Sequence, residues 1–191
     1  MIFHFGAVPE DPDFMPEQEG WTALREPSPW VTQLCAAPVA AAAGFGTVCL
    51  WAVLTEVSAE WPYPDWWLVP LFLGLVLLHE MLHALLHPRL ATTPDSILGF
   101  WPSKVLFYAH YQGTWSKWAF VRCGLGPFFV LSVLPPVICA LVGYPSPTLL
   151  LLSVVNALAS CVDLLGAMFI MWQVPSGGIV RNKGWYTYYR V

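Results

Sequence analysis

Twenty-nine consecutive residues, Pro27 to Thr55, carry no Asp, Glu, Lys or Arg, and neither do the 40 residues from Cys123 to Val162. Runs of that length cannot clothe a soluble domain, in which about a quarter of the residues are charged. Here 10% are charged and 57% are hydrophobic. A helix needs about 20 apolar residues to cross the hydrocarbon of a bilayer. The second run is interrupted by the turn formers Gly143-Tyr144-Pro145-Ser146-Pro147, so it divides in two. Four spans are predicted, at Trp30–Thr55, Trp66–Leu86, Arg122–Val142 and Thr148–Trp172. The expected fold class is therefore an all-α membrane protein of about four transmembrane helices, with the lipid bilayer as its first partner. A net charge of −4 offers no basic field for a polyanion, which excludes a nucleic-acid partner.

Three regions are expected: an acidic, solvated cytoplasmic tail over residues 1–29, one transmembrane domain over 30–173, and a short cytoplasmic tail over 174–191. The first tail lacks the basic start and short apolar stretch of a cleaved signal peptide. Five cysteines, at 35, 49, 123, 139 and 161, lie in or beside apolar segments without C-x-x-C spacing, which argues against a disulfide framework or a cysteine zinc site. Topology follows from the basic residues. The loop before the second span and the loop before the fourth have none, whereas Arg89, Lys104, Lys117 and Arg122 lie in or beside the second loop. Arg181, Lys183 and Arg190 lie in the C-terminal tail. Both termini and the second loop should therefore face the cytoplasm of a multi-pass protein.

The second loop has structure of its own. Lys104 to Tyr111 is rich in β-branched and aromatic residues, Gln112-Gly113 follows, and Thr114-Trp115-Ser116-Lys117-Trp118 comes next. This pattern predicts a small cytoplasmic β-hairpin. An amphipathic stretch lying at the membrane interface would carry the same residues.

The second span ends in His79-Glu80-Met81-Leu82-His83, which is H-E-x-x-H. Residues four apart share a helix face, so both imidazoles can reach one metal ion, and the glutamate between them can serve as general base. A carboxylate at membrane depth costs about 2.5–3.5 kcal/mol or more unless something compensates it, so such residues are functional by default. A catalytic zinc takes three protein ligands and keeps one position open. His87, His110 and Asp163 are the candidates for the third. His87 lies eight residues beyond His79, ~12 Å along the axis, too far to converge from one continuous helix. His110 sits in the predicted hairpin and stands as an alternative ligand. Asp163 is favoured by depth. Counted from the outer ends of their spans, His79 and His83 lie ~20 and ~26 Å in, and Asp163 lies ~21 Å in.

Asn156 and Ser160 share a helical face with Asp163, as candidates to support a ligand or bind substrate; small polar residues also join membrane helices to one another. Gly166 is expected to permit close packing. Gly124-x-Gly126-Pro127 and Pro135-Pro136 should make the third span bent and irregular.

These features together resemble a known family. His79-Glu80-Met81-Leu82-His83 at the end of a span, the segment from Gly99-Phe100-Trp101-Pro102 to Tyr108-Ala109-His110-Tyr111, and Asn156-x-x-x-Ser160-x-x-Asp163 are similar to the putative zincin peptidases. That family comprises small bacterial and archaeal membrane proteins whose layout resembles the intramembrane site-2 metalloproteases. The resemblance covers about Leu71 to Phe169. It implies that His79, His83 and Asp163 bind one Zn2+, that Glu80 is the general base, and that the protein sits in a prokaryotic cytoplasmic membrane. In site-2 proteases the aspartate is followed by glycine; here Leu164-Leu165 intervene before Gly166.

The function expected is a zinc-dependent endopeptidase hydrolysing peptide bonds near the cytoplasmic face, its partner a membrane-embedded or membrane-proximal protein substrate. A hairpin edge would hold that substrate extended by strand addition. The competing reading is a non-catalytic metal-binding membrane protein used in sensing, assembly or transport. A transporter would spread polar residues along a path, whereas here they cluster at one depth.

Overall fold

The computed structural model describes residues 1–55, 66–104 and 106–191. The loop preceding the second span, residues 57–65, used above for topology, lies outside these residues, as does Val105 of the expected hairpin. The protein is mostly helical: α1 (Pro29–Thr55), α2 (Leu68–Leu86), α3 (Lys117–Phe128), α4 (Leu134–Val142), α5 (Pro147–Ala159) and α6 (Cys161–Gln173). Three helical stretches are long and apolar enough to cross a membrane: Trp30–Thr55, Leu68–Leu86 and Lys117–Val142. The bent pair α5–α6 makes a fourth if it counts as one span.

The third span runs through α3 and α4 and holds a π turn at Phe129–Val133 just before Pro135-Pro136. Proline removes an N–H from the helical ladder, and a wider turn re-satisfies the carbonyls this frees. The span starts at Lys117 rather than Arg122, because Ser116 caps it by accepting the Ala119 N–H at 3.3 Å. The fourth span is not straight. It breaks at Ser160 with a 48° bend, which puts Asp163 in the first turn of α6, where the helix dipole favours an anion.

The expectation of an all-helical fold needs correction. Among the described residues, seven strands form two sheets: β1 (Ile2–Phe5), β2 (Thr22–Ala23), β3 (Ser96–Trp101), β4 (Leu106–Tyr111), β5 (Trp115–Ser116), β6 (Ile179–Lys183) and β7 (Tyr186–Arg190). One sheet has the order β1-β3-β4 and the other β2-β7-β6-β5. The predicted hairpin is not formed. β4 pairs antiparallel with β3, which precedes it, and β5 pairs with β6 from the C-terminal segment. Gln112-Gly113 therefore links two sheets rather than two partners.

The terminal segments expected as tails are built into these sheets. β1 lies parallel to β3 in the register Ile2↔Ile97 to Phe5↔Phe100, and β2 pairs with β7. Phe14 and Trp21 are buried edge to face, Asp11 pairs with Arg181, and the Glu26 carboxylate accepts the Thr187 N–H and hydroxyl at 2.9 and 2.7 Å. Burial pushes the Glu26 carboxyl above its usual range.

A core of Leu24, Tyr111, Trp115, Val121, Ile170 and Val174 joins the sheets to the helix ends. A second cluster, Trp51, Cys139, Leu150 and Val154, packs α1 against α4 and α5. One close helix approach falls at Gly44, whose Cβ position lies 2.8 Å from Leu158 Cδ2 of α5, and two more fall on α3 at Gly124 and Gly126. A Cβ there would meet the Asp163 carbonyl at 3.4 Å and Leu86 Cδ1 at 2.1 Å, so α3 wedges between α6 and α2. Gly166, expected in that role, has nothing within 4 Å of its Cβ position among the described residues.

Candidate metal centre

α2 carries His79 and His83 one turn apart, both buried. Three ligand atoms converge between α2 and the start of α6. His79 Nε2 and His83 Nε2 are 3.1 Å apart, and Asp163 Oδ2 lies 3.2 Å from the first and 3.4 Å from the second. Four ligands about 2.0–2.1 Å from a tetrahedral zinc are separated by ~3.3 Å, so these spacings fit such an ion.

Hydrogen bonds behind the imidazoles decide what their inner nitrogens can do. Asn156 Nδ2 donates to Ser132 Oγ at 2.9 Å and to the Pro127 carbonyl at 3.2 Å, which fixes the amide with Oδ1 towards His79. His79 Nδ1 lies 2.8 Å from that Oδ1, so Nδ1 carries the proton and donates. His83 Nδ1 lies 2.9 Å from the Cys123 carbonyl and must donate too. Both Nε2 atoms then present lone pairs to one another and to a carboxylate oxygen. Three lone pairs aimed at one point repel unless a cation joins them. The donor set therefore fits a divalent metal, and its outer hydrogen bonds are those that commonly orient metal-bound histidines. Among the described residues, this is the group of His, Cys, Asp and Glu side chains that could hold a metal ion.

The carbonyl that orients His83 is available for a reason legible in the chain. In a regular helix the Cys123 carbonyl would accept from the N–H four residues on, but that residue is Pro127. Proline leaves the acceptor free, and His83 takes it.

Glu80 follows His79 on α2 and lines the same cavity of about 750 Å³. β4, whose Ala109 lines the same cavity, is an edge strand of its sheet. Ser160 Oγ donates to the Asn156 carbonyl at 2.8 Å within the bend, so it supports the segment that holds Asp163. Asn156 has its oxygen on His79 and its amide nitrogen on α3 and the π turn, which leaves it no free group for a substrate. His110 lines the cavity but stands outside the three-ligand group. Burial pushes its imidazole down to about 4, so it is neutral at ordinary pH. The Cys123 and Pro127 carbonyls were missed as site groups because a backbone acceptor has no residue signature; Pro127 was the available signal.

A family model described as "Putative zincin peptidase" matches residues 72–179, more than half of the chain, and the protein belongs to that family. No curated protein and no solved structure matches the chain.

Proposed function

Taking membership of the putative zincin peptidases as the premise, we propose that this protein is a membrane-embedded zinc endopeptidase that cleaves membrane-embedded or membrane-proximal polypeptides. The observation that carries this reading is the convergence of three lone pairs from His79, His83 and Asp163 beside the carboxylate of Glu80. Zinc bound there supplies a Lewis acid that polarises the peptide carbonyl and makes water a stronger nucleophile. Asn156 and the Cys123 carbonyl hold the two imidazoles in the tautomer that keeps Nε2 free. Glu80 accepts the proton of the attacking water as its oxygen adds to the carbonyl carbon. Glu80 then delivers that proton to the amine nitrogen as the C–N bond breaks.

A transmembrane helix hides its carbonyls in hydrogen bonds, so the substrate must unwind to be cut. The outward edge of β4 suits such a segment, because an extended chain can add to it as a strand.

The test is the zinc content and proteolytic activity of the detergent-purified protein. Wild type and Glu80→Ala are expected to hold about one zinc each, and His83→Ala and Asp163→Ala to lose it. Glu80→Ala should lower kcat by about 10²–10⁴-fold, the usual worth of a general base. Zinc retained in Asp163→Ala would remove Asp163 from the ligand set and bring His110 forward. Zinc in wild type without hydrolysis of any membrane-protein substrate would favour the non-catalytic metal-binding reading.

A further inference from the structure

The β1-β3-β4 sheet has a covered face and an open one. Successive residues of a strand point to opposite sides of a sheet, and residues paired across strands point to the same side. The register therefore sorts the three strands into two sets. On one side Ile97, Gly99, Tyr108 and His110 are all buried. On the other, Phe3, Leu98 and Ala109 form one row and Phe5, Phe100 and Phe107 the next. None of these six is buried, and Phe3 and Phe5 are 64% and 69% exposed. The rings of the second row touch in turn, with centroids 5.9 Å apart for Phe5 and Phe100 and 4.5 Å apart for Phe100 and Phe107.

A sheet face turned to water carries polar residues in alternation with the buried ones. All six positions here are apolar. A soluble protein rarely leaves such a patch uncovered, so it marks contact with another protein or with a membrane. Two observations select the membrane. Apolar surface continues from the second span into this region: Met81, Leu85 and Leu86 of α2 are exposed, Leu90 in the turn that follows is 71% exposed, and β3 and β4 pack against α2. The rim is basic and aromatic. Arg89 and Lys104 are exposed, and Lys104 Nζ lies 6.0 Å from the centre of the Trp101 ring, a cation and an indole suited to phosphate headgroups. Asp95 precedes β3, at the strand end away from Lys104. The outer edge of β1 limits the depth. It has no strand partner among the described residues, and unpaired peptide groups do not enter hydrocarbon.

We infer that the open face of the β1-β3-β4 sheet lies on the bilayer, with Phe3, Phe5, Phe100 and Phe107 at the boundary between acyl chains and headgroups. The partner is the phospholipid leaflet at the sheet end of the spans, and the contact needs neither the metal nor peptidase activity. Phe107 and Ala109 also line the cavity, so this placement brings one of its walls to the lipid.

The experiment uses the full chain in vesicles of phosphatidylcholine and phosphatidylglycerol. The five native cysteines are replaced by alanine, and a nitroxide is attached at Phe3→Cys, Phe5→Cys or, as a control in the acidic stretch before β2, Glu17→Cys. Power-saturation EPR compares collisions with oxygen, which enters lipid, and with a neutral nickel chelate, which stays in water. The labels at 3 and 5 are expected about 5–10 Å below the phosphates, and the label at 17 in water. Equal access of nickel to all three would overturn the inference. Protection of positions 3 and 5 from both reagents would mean that protein covers the face, and would overturn it too; dipolar broadening between copies would identify that cover as a second chain. A second measurement keeps the native cysteines and replaces Phe5 by p-benzoylphenylalanine. Irradiation in the same vesicles is expected to add the mass of one phospholipid. Adducts to a second copy, or no lipid adduct, would overturn the inference.

Discussion

Asn156 shows how much one side chain at membrane depth can do. Its oxygen fixes the His79 tautomer, and its nitrogen ties α5 to the Pro127 carbonyl and to Ser132 in the π turn. An apolar isostere would leave His79 free to turn over and protonate Nε2, which removes one metal lone pair. Asn156→Leu is therefore expected to weaken zinc binding by about 10–100-fold, the usual cost of losing a partner behind a metal-bound histidine. Competition with a zinc chelator of known affinity measures it directly. A loss of fold without a change in affinity for the remaining folded protein would make Asn156 a packing residue and nothing more.

At the scale of elements, the site depends on helices that fail to be regular at chosen places. α3 contains Pro127 and gives up the hydrogen bond to the Cys123 carbonyl, which His83 then uses. The π turn at Phe129–Val133 brings Ser132 to Asn156, and the break at Ser160 puts Asp163 at a helix start. Pro127→Ala tests this exchange. The alanine has better helix propensity, yet its new N–H would compete with His83 Nδ1 for one carbonyl. Zinc affinity is expected to fall about tenfold while the helix content by circular dichroism stays constant or rises. Unchanged affinity would show that the carbonyl serves both donors at once. The connection after α2 is irregular in a different way: Arg89, Leu90 and Ala91 all have positive φ, a left-handed turn that costs about 1–2 kcal/mol per residue. That turn starts the chain back from His87 towards β3, whose partner β4 brings Ala109 and His110 to the cavity.

For the whole molecule, sheet pairing settles a question that helix counting leaves open. Residues 2–5 pair with 97–100, 22–23 with 188–189, and 115–116 with 179–180. The N-terminal segment, the second loop and the C-terminal segment must therefore lie on one side of the bundle. Exposed tryptophans follow the same division. Trp30, Trp118 and Trp172 sit at helix ends on the sheet side, and Trp66 and Tyr144 lie at the other end, as in two interfacial aromatic belts. By the rule that basic residues gather on the cytoplasmic side, the excess of Lys and Arg around the sheets gives the expectation that this side faces the cytoplasm. With the five native cysteines replaced by alanine, Ser103→Cys is expected to react with an impermeant thiol reagent only from the cytoplasmic side, and Tyr144→Cys only from the other. Labelling of both from the same side would mean that the segment Lys117–Val142 does not cross.

The sequence by itself determined that the chain is built of apolar helices, because charge-free runs of 29 and 40 residues have no other compact solution. It also determined that His79 and His83 share a face, because helical geometry follows from spacing alone. The level of Asp163 was reachable by counting rise per residue, even though the counted helix proves to be bent at Ser160. The rest was decided by contacts between distant segments. The β-branched and aromatic content of Lys104 to Tyr111 predicts a strand but cannot name its partner, and β3, just upstream, displaced the segment after Gln112-Gly113 as the pairing solution. The break at Ser160 has neither proline nor glycine to announce it. Gly44, Gly124 and Gly126 rather than Gly166 take the close helix contacts, because glycines look alike until a neighbouring helix arrives. The lining of the cavity is likewise drawn from distant segments, with His87 after α2, His110 on β4, Trp115 on β5 and Asn182 on β6, which only the tertiary structure brings to one cavity.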